Sequence, residues 1–285
     1  MSIVVNTNIN SLMVQRNLNS ATGSIGKSIE RLSTGFKINH AGDDAAGLVI
    51  SEGLKSQARG SEVAQANAQT GLNLLQTAEG DLGIIQENLQ RVRDLSVQAA
   101  NGTYGSVEKT AILGEVQARM SEINRMAKSS SFNSIGLLDG SSSAIRLQIG
   151  ANANATLNSL DVGTPLRSCT TSQLGINPLG TNAEIADFFT GAKTTASFIA
   201  VIDSAISTVS ARRSDIGSIQ NRLESTIRSL TVKQENMEAA NSRIRDTDVA
   251  KESAALTKSQ ILQQASASLL AQANSAPQIA LSLLG

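Results

Sequence analysis

Aromatic side chains are scarce in this sequence. They make up 2% of 285 residues, and tryptophan does not occur. Proteins that hold single-stranded nucleic acid stack bases on aromatic platforms, so the composition argues against that role. With 24 basic and 24 acidic residues the formal net charge is zero, which removes the basic excess that an electrostatic nucleic-acid binder needs. Cysteine occurs once, at Cys169, and histidine once, at His40. A single cysteine forms no internal disulfide, and beside a single imidazole it leaves no usual zinc ligand set. Proline stands only at positions 165, 178 and 277, so two long stretches lack the strongest helix breaker. No run of 18 apolar residues is present, and no transmembrane helix is expected. The start MSIVVNTNIN has neither a basic n-region nor a long apolar core, so no secretory signal is expected either.

Charge is also missing from both ends. Residues 259–285 carry no charged side chain, yet include Ile261, Leu262, Leu269, Leu270, Ile279, Leu281, Leu283 and Leu284. Between Met1 and Gly26 only Arg16 is charged. Exposed apolar surface of this kind invites association. The two ends are therefore expected to pair with each other or with other copies of the chain.

What is abundant is helical periodicity. Val14, Leu18, Ala21, Ile25, Ile29 and Leu32 fall mostly at 3–4 spacing, and Ser33-Thr34-Gly35 reads as a stop. Asp43 and Asp44 read as the first turn of a second helix, where carboxylates favour free amides and the helix dipole. That helix runs to about Ala100 along a heptad seam of Leu75, Ala78, Leu82, Ile85, Leu89, Val92, Ser96 and Ala99. Asn101-Gly102 closes it. A third helix over about 106–128 places Ile112, Val116, Met120 and Ile123 on one face. From Phe132 the helical period vanishes. The alternation in 144–149 predicts a strand, with a hairpin partner at 157–162 and a short helix at 182–189. Then Ile202, Val209, Ile216, Leu223, Leu230, Met237 and Ile244 follow at intervals of seven residues. Such a repeat signals left-handed coiled packing over a rod of about 63 Å. A last helix over 249–273 leads into the uncharged end. The expected fold is mainly α: a long antiparallel helical bundle or coiled coil with a small β-hairpin region inserted centrally.

The chemical motifs weigh little. Ala21-Thr22-Gly23-Ser24-Ile25-Gly26-Lys27-Ser28 matches a relaxed phosphate-loop pattern. A working one follows a buried strand, and here a helical stripe precedes it. His40 reads as a polar loop residue. The sequons at Asn101 and Asn154 carry no expectation of glycosylation without a secretory signal. Arg91, Arg93, Arg212 and Arg213 read as a solvated, ion-paired face, or alternatively as a partner-binding one. No catalytic residue, metal ligand or cofactor site is expected.

The run from Leu32 to Leu48, LSTGFKINHAGDDAAGL, resembles the N-terminal hallmark of bacterial flagellin, as do Asn6-Thr7-Asn8 and Ser11-Leu12. The run from Ser242 to Gly285, SRIRDTDVAKESAALTKSQILQQASASLLAQANSAPQIALSLLG, is similar to the flagellin tail almost throughout. The resemblance covers roughly residues 1–150 and 193–285. It implies a non-enzymatic filament subunit that polymerises for swimming motility and reaches the outside through the flagellar type III channel. Its implied partners are other copies of itself, an export chaperone, the filament cap and hook-junction proteins. A hook–filament junction protein is the alternative within the same organelle. An enzyme carried in the central insert is disfavoured, because the insert holds no histidine.

The family's division implies an inner terminal domain of 1–43 and 245–285. It also implies a helical rod of 44–244 with a β-rich insert at about 132–192, too short for a large outer domain. Terminal segments of roughly 1–40 and 245–285 are expected to be poorly ordered until assembly. Leu18, Ile25, Leu32, Leu262, Leu269, Leu270, Leu281 and Leu284 are the expected self-assembly residues. The segment Leu89-Gln90-Arg91-Val92-Arg93-Asp94-Leu95-Ser96-Val97 resembles the one read by the vertebrate Toll-like receptor for flagellin. Gln90, Arg91, Leu95 and Glu115 are its implied contact positions, and Asp94 replaces the family's usual Glu.

Overall fold

The computed structural model describes residues 7–141, 145–176 and 195–282. Among the described residues six helices and four short strands follow in order: α1 (Ile9–Thr34), α2 (Ala45–Ala99), α3 (Ser106–Ser129), β1 (Ser131–Phe132), β2 (Ile135–Gly136), β3 (Arg146–Gln148), α4 (Ala155–Asn158), β4 (Ser159–Asp161), α5 (Thr195–Arg245) and α6 (Val249–Ser282). The chain divides into two compact units. One comprises 1–57 with 235–285, the other 58–234. The divisions fall inside α2 and α5, so both helices contribute to both units.

The 58–234 unit holds the hydrophobic core. The α2 seam from Leu75 through Leu82, Ile85, Leu89 and Val92 to Ala99 is fully buried or nearly so. It is met by Ile112, Val116, Met120, Ile123 and Ala127 from α3, and by Phe198, Ile202, Ala205, Val209, Ile216 and Leu223 from α5. Each fully buried Leu or Ile contributes about 1.5–3 kcal/mol from burial alone. The seven-residue repeat of α5 continues past Leu223, but burial fades along it. Leu230 is still buried, whereas Met237 and Ile244 are only half-buried.

The expected strand pair is present. β3 and β4 pair antiparallel, with Leu147 opposite Leu160. The ladder extends through Ile149 N–H to Asn158 O and Val162 N–H to Ile145 O. Glycine on α2 lets this hairpin lie against the helix. A Cβ at Gly71 would overlap the Leu147 side chain, and one at Gly60 would come within 2.7 Å of the Ala151 Cβ. A second, smaller hairpin, β1–β2, is not visible in the sequence periodicity. Its two turn residues, Asn133 and Ser134, both have positive φ (49° and 65°), as a primed two-residue turn requires.

Three sequence expectations change. Asp43 does not belong to the first turn of α2. The helix starts at Ala45, and Asp44 alone caps it by accepting the Gly47 N–H at 2.8 Å. Arg212 does not sit on a solvated face. Its Nη1 donates to the carbonyls of Arg167 and Ser168 and reaches the buried Cys169 Sγ at 2.7 Å, holding the insert's loop. Burial pushes the Cys169 thiol pKa up, while Arg212 works against the shift. The last helix extends beyond 273, through Pro277 to Ser282. The short helix expected at 182–189 lies outside the described residues.

Candidate functional site

The terminal helices pair. Contacts between α1 and α6 run antiparallel, because the partner's number falls as that of α1 rises. Asn8 meets Ala273, Ser11 meets Asn274, Thr22 meets Gln263 and Arg31 meets Glu252. On α1 the shielded seam positions are Ser11, Val14, Leu18, Ala21, Ile25, Ser28 and Leu32, with Glu30 and Arg31 also shielded near its end. On α6 they are Glu252, Leu256, Ser259, Gln263, Ser266, Leu270 and Ala273. Both series alternate by three and four, which is the spacing of a coiled-coil seam.

This seam is unusually polar, and that decides where the apolar side chains go. Among the described residues of the terminal unit, Ala21 and Ile38 are the buried hydrophobic side chains. Leu18, Ile25, Leu32 and Leu270 lie on the seam, half-buried. Leu262 and Leu269 do not: they are 49% and 54% exposed. They lie on an open face with Ile261, while Ile9, Leu12 and Met13 are open on α1. Ile29, expected on the α1 stripe, is also exposed, and Ser28 takes the shielded position. Leu281 lies in the last turns of α6, and Leu284 lies outside the described residues.

Two connectors close the far end of the pair. Gly35 ends α1 in the left-handed region at φ 76°, its N–H returning to Arg31 O. Phe36 and Asp246 then form an antiparallel bridge. Lys37 N–H donates to Arg245 O at 2.6 Å, and Thr247 N–H to Gly35 O at 2.9 Å. The Arg245 guanidinium stands 4.8 Å over the Phe36 ring and pairs with Glu52 at 2.6 Å. Asp43 clamps the α1–α2 connector. Its carboxylate takes the Lys27 ammonium at 2.6 Å and receives the Asn39 and His40 N–H groups at 3.3 Å. Lys27 foremost, then the His40 amide, lowers its pKa from 3.8 to about 2. Asp248 starts α6 by accepting the Ala250 and Lys251 N–H groups.

The second candidate is the exposed face of α2 and α3. Arg91 Nε donates to Glu115 at 2.9 Å, Arg119 stands 3.9 Å from the same carboxylate and also donates to Asn88. Gln90 is exposed beside them, whereas Leu95 is buried beneath, 2% exposed. Arg93 pairs with Asp203 at 2.6 Å, and Arg213 with Glu79 and Gln86. The ion-paired reading of these three arginines therefore holds. Among the described residues no group of three or more His, Cys, Asp or Glu side chains is placed to hold a metal ion. Nor is any helix long and apolar enough to cross a membrane. The phosphate-loop lookalike at 21–28 lies wholly within α1.

Two family models match. Residues 5–143 match the bacterial flagellin N-terminal helical region, and 199–284 the bacterial flagellin C-terminal helical region. The chain is 40% identical over 282 residues to a flagellin of Halalkalibacterium halodurans, covering 99% of this chain and 100% of the relative. The chain is a bacterial flagellin. A Bacillus subtilis flagellin is 41% identical over 301 residues, covering 98% of this chain and 99% of the relative. The crystal structure of Bacillus cereus flagellin aligns at 28% identity with a TM-score of 0.48, over 62% of this chain and 94% of that one. Flagellins are structural proteins that polymerise into the flagellar filament of swimming bacteria, not enzymes. The matches support a filament subunit and lend nothing to the junction-protein alternative.

The sequence reading assigned no contact to Asn8, Arg31 or Arg245 and no pairing of Phe36 with Asp246. A lone polar residue before a helix signals a cap and nothing about a partner 265 residues away.

Proposed function

We propose that this flagellin assembles through its terminal helix pair, in two stages. Leu18, Ile25, Leu32 and Leu270 join α1 to α6 within one subunit. Leu262 and Leu269, with Leu281 and Leu284 toward the uncharged end, meet the terminal helices of neighbouring subunits. The inner assembly domain of 1–43 with 245–285 then lies inside the compact terminal unit of 1–57 with 235–285, and the rod of 44–244 takes in all of the 58–234 unit. The observation that carries this reading is the exposure of the strongest apolar residues of α6, beside a seam filled partly by Ser259, Gln263 and Ser266. A helix pair that leaves leucine outside and serine inside is incomplete without further subunits.

Leu270→Asp tests it. A carboxylate placed on the seam and covered by neighbours is an unpaired buried charge. Electron microscopy of the purified variant under polymerising conditions should find no filaments. Normal filaments would refute the assignment.

Export through the flagellar type III channel and an extracellular location go with this reading, as do an export chaperone, the filament cap and hook-junction proteins as partners. Family membership supports all of them. On the rod, Gln90, Arg91 and Glu115 form an exposed polar cluster that suits recognition by the vertebrate Toll-like receptor for flagellin, with Leu95 supporting it from below.

A further inference from the structure

Asn8 does two jobs at once. Its Oδ1 accepts the Ser11 N–H at 3.0 Å and so caps α1. Its Nδ2 donates to the Ala273 carbonyl of α6 at 2.7 Å. Ala273 stands four residues before Pro277, and α6 runs through both. In a regular helix the N–H of residue 277 would return to the carbonyl of residue 273, but proline has none to give. The asparagine amide supplies the missing donor. Ser11 Oγ, one helical turn on, donates to Asn274 Oδ1 at 2.7 Å.

We infer that Asn8 is a positioning residue for filament assembly, one that sets the register of the terminal helix pair by serving the carbonyl which Pro277 leaves free. The seam needs such a device. Its middle is made of Ser259, Gln263 and Ser266 against small and half-buried residues of α1. A seam of that kind specifies register weakly, and slippage by one heptad would bring similar side chains together. Ahead of the last turn of α6, Pro277 takes the helical donor from one carbonyl, that of Ala273, and the side-chain amide of the α1 cap residue Asn8 reaches it. Slippage in either direction leaves that carbonyl without its donor.

The inference rests on the terminal pair being ordered in the filament, and the test separates the two ideas. Asn8→Ser keeps a good helix cap but is too short to reach Ala273. It should raise the critical concentration for polymerisation roughly five- to thirtyfold, as expected when a shielded polar group loses its partner. In a Pro277→Ala background residue 277 regains its N–H, and the same Asn8→Ser change should alter the critical concentration by about twofold or less. An equal effect in both backgrounds, or none in either, would overturn the inference, because a simple cap is indifferent to residue 277. Should Pro277→Ala fail to polymerise, solid-state NMR of unaltered filaments decides. A close approach of Asn8 Nδ2 to the Ala273 carbonyl carbon is expected. Its absence while the Gln263–Thr22 contact persists would remove the register role alone. Absence of both contacts would remove the terminal pair itself, and the inference with it.

Discussion

The rod unit and the terminal unit are built from the same element, a long helix with a heptad pattern, and finish differently. In the rod, the seam of α2 is closed by α3 and α5, and its leucines and isoleucines lose essentially all contact with water. In the terminal unit, α1 has α6 beside it, and the described side chains bury almost nothing. The polar inventory shows the same contrast. Five shielded side-chain polar atoms among the described residues lack a protein partner, and four of them belong to Arg31, Ser51, Asn241 and Arg245 of the terminal unit. Buried polar groups are normally satisfied. One unit closes a core of its own, and the other leaves apolar side chains open, as the proposed assembly through copies of the same chain requires.

That contrast can be broken most forcefully in the core. Leu89→Ala should lower the unfolding free energy of the isolated subunit by about 2–5 kcal/mol, the usual cost of emptying a packed leucine site. Leu262→Ala, equally drastic on paper, should change it by less than about 0.5 kcal/mol, because the side chain has little to lose before assembly. Denaturant titration followed by circular dichroism measures both. Similar losses for the two variants would mean that the terminal pair is as well packed as the rod.

A smaller effect separates stability from recognition on the rod. Arg91→Ala removes an exposed ion pair, worth no more than about 1 kcal/mol to folding. Its signature should instead be a marked fall in signalling by the vertebrate receptor in a reporter assay. Unchanged signalling would remove Arg91 from the recognition set.

The subtlest probe is a carboxyl titration. Where α1 is docked, the Lys27 ammonium and the His40 amide hold Asp43 down at about 2. Where α1 is loose, the group should return toward its ordinary value of 3.8. The docked arrangement therefore gains from this carboxylate above that ordinary value, and the gain is lost as pH falls toward 2. In a dilute monomer the Asp43 carboxyl should titrate near 3.8 by NMR. A midpoint near 2 there, moved up by Lys27→Met, would show that α1 is already docked.

Much of the rod was legible in advance because its pattern and its burial coincide. The α2 series from Leu75 to Ala99 and the α5 repeat from Ile202 to Leu230 are hydrophobic at each seam position but for Ser96, which is buried too and hydrogen-bonds Val92 O within its own helix. The terminal seam was less legible because periodicity and hydrophobicity part company there. Ser28, Ser259, Gln263 and Ser266 occupy seam positions, while Ile29, Leu262 and Leu269 point away from them. A reader of hydrophobic stripes follows the leucines, and on α6 these lead outward. The same reading took Asp43 and Asp44 for a matched pair, since two adjacent carboxylates look alike in sequence. Only the chain path shows that one caps a helix and the other clamps a loop. Asn8, Arg31 and Arg245 act across the whole length of the chain, and no local pattern encodes such distances.

Amide hydrogen exchange, read residue by residue on dilute monomer and on filaments of the same protein, tests the two-unit account most directly. The account predicts slow exchange along the buried seams of α2, α3 and α5 in both states. It predicts fast exchange over α1 and α6 in the monomer, turning slow in the filament. Strong protection of both terminal helices in the dilute monomer would contradict it.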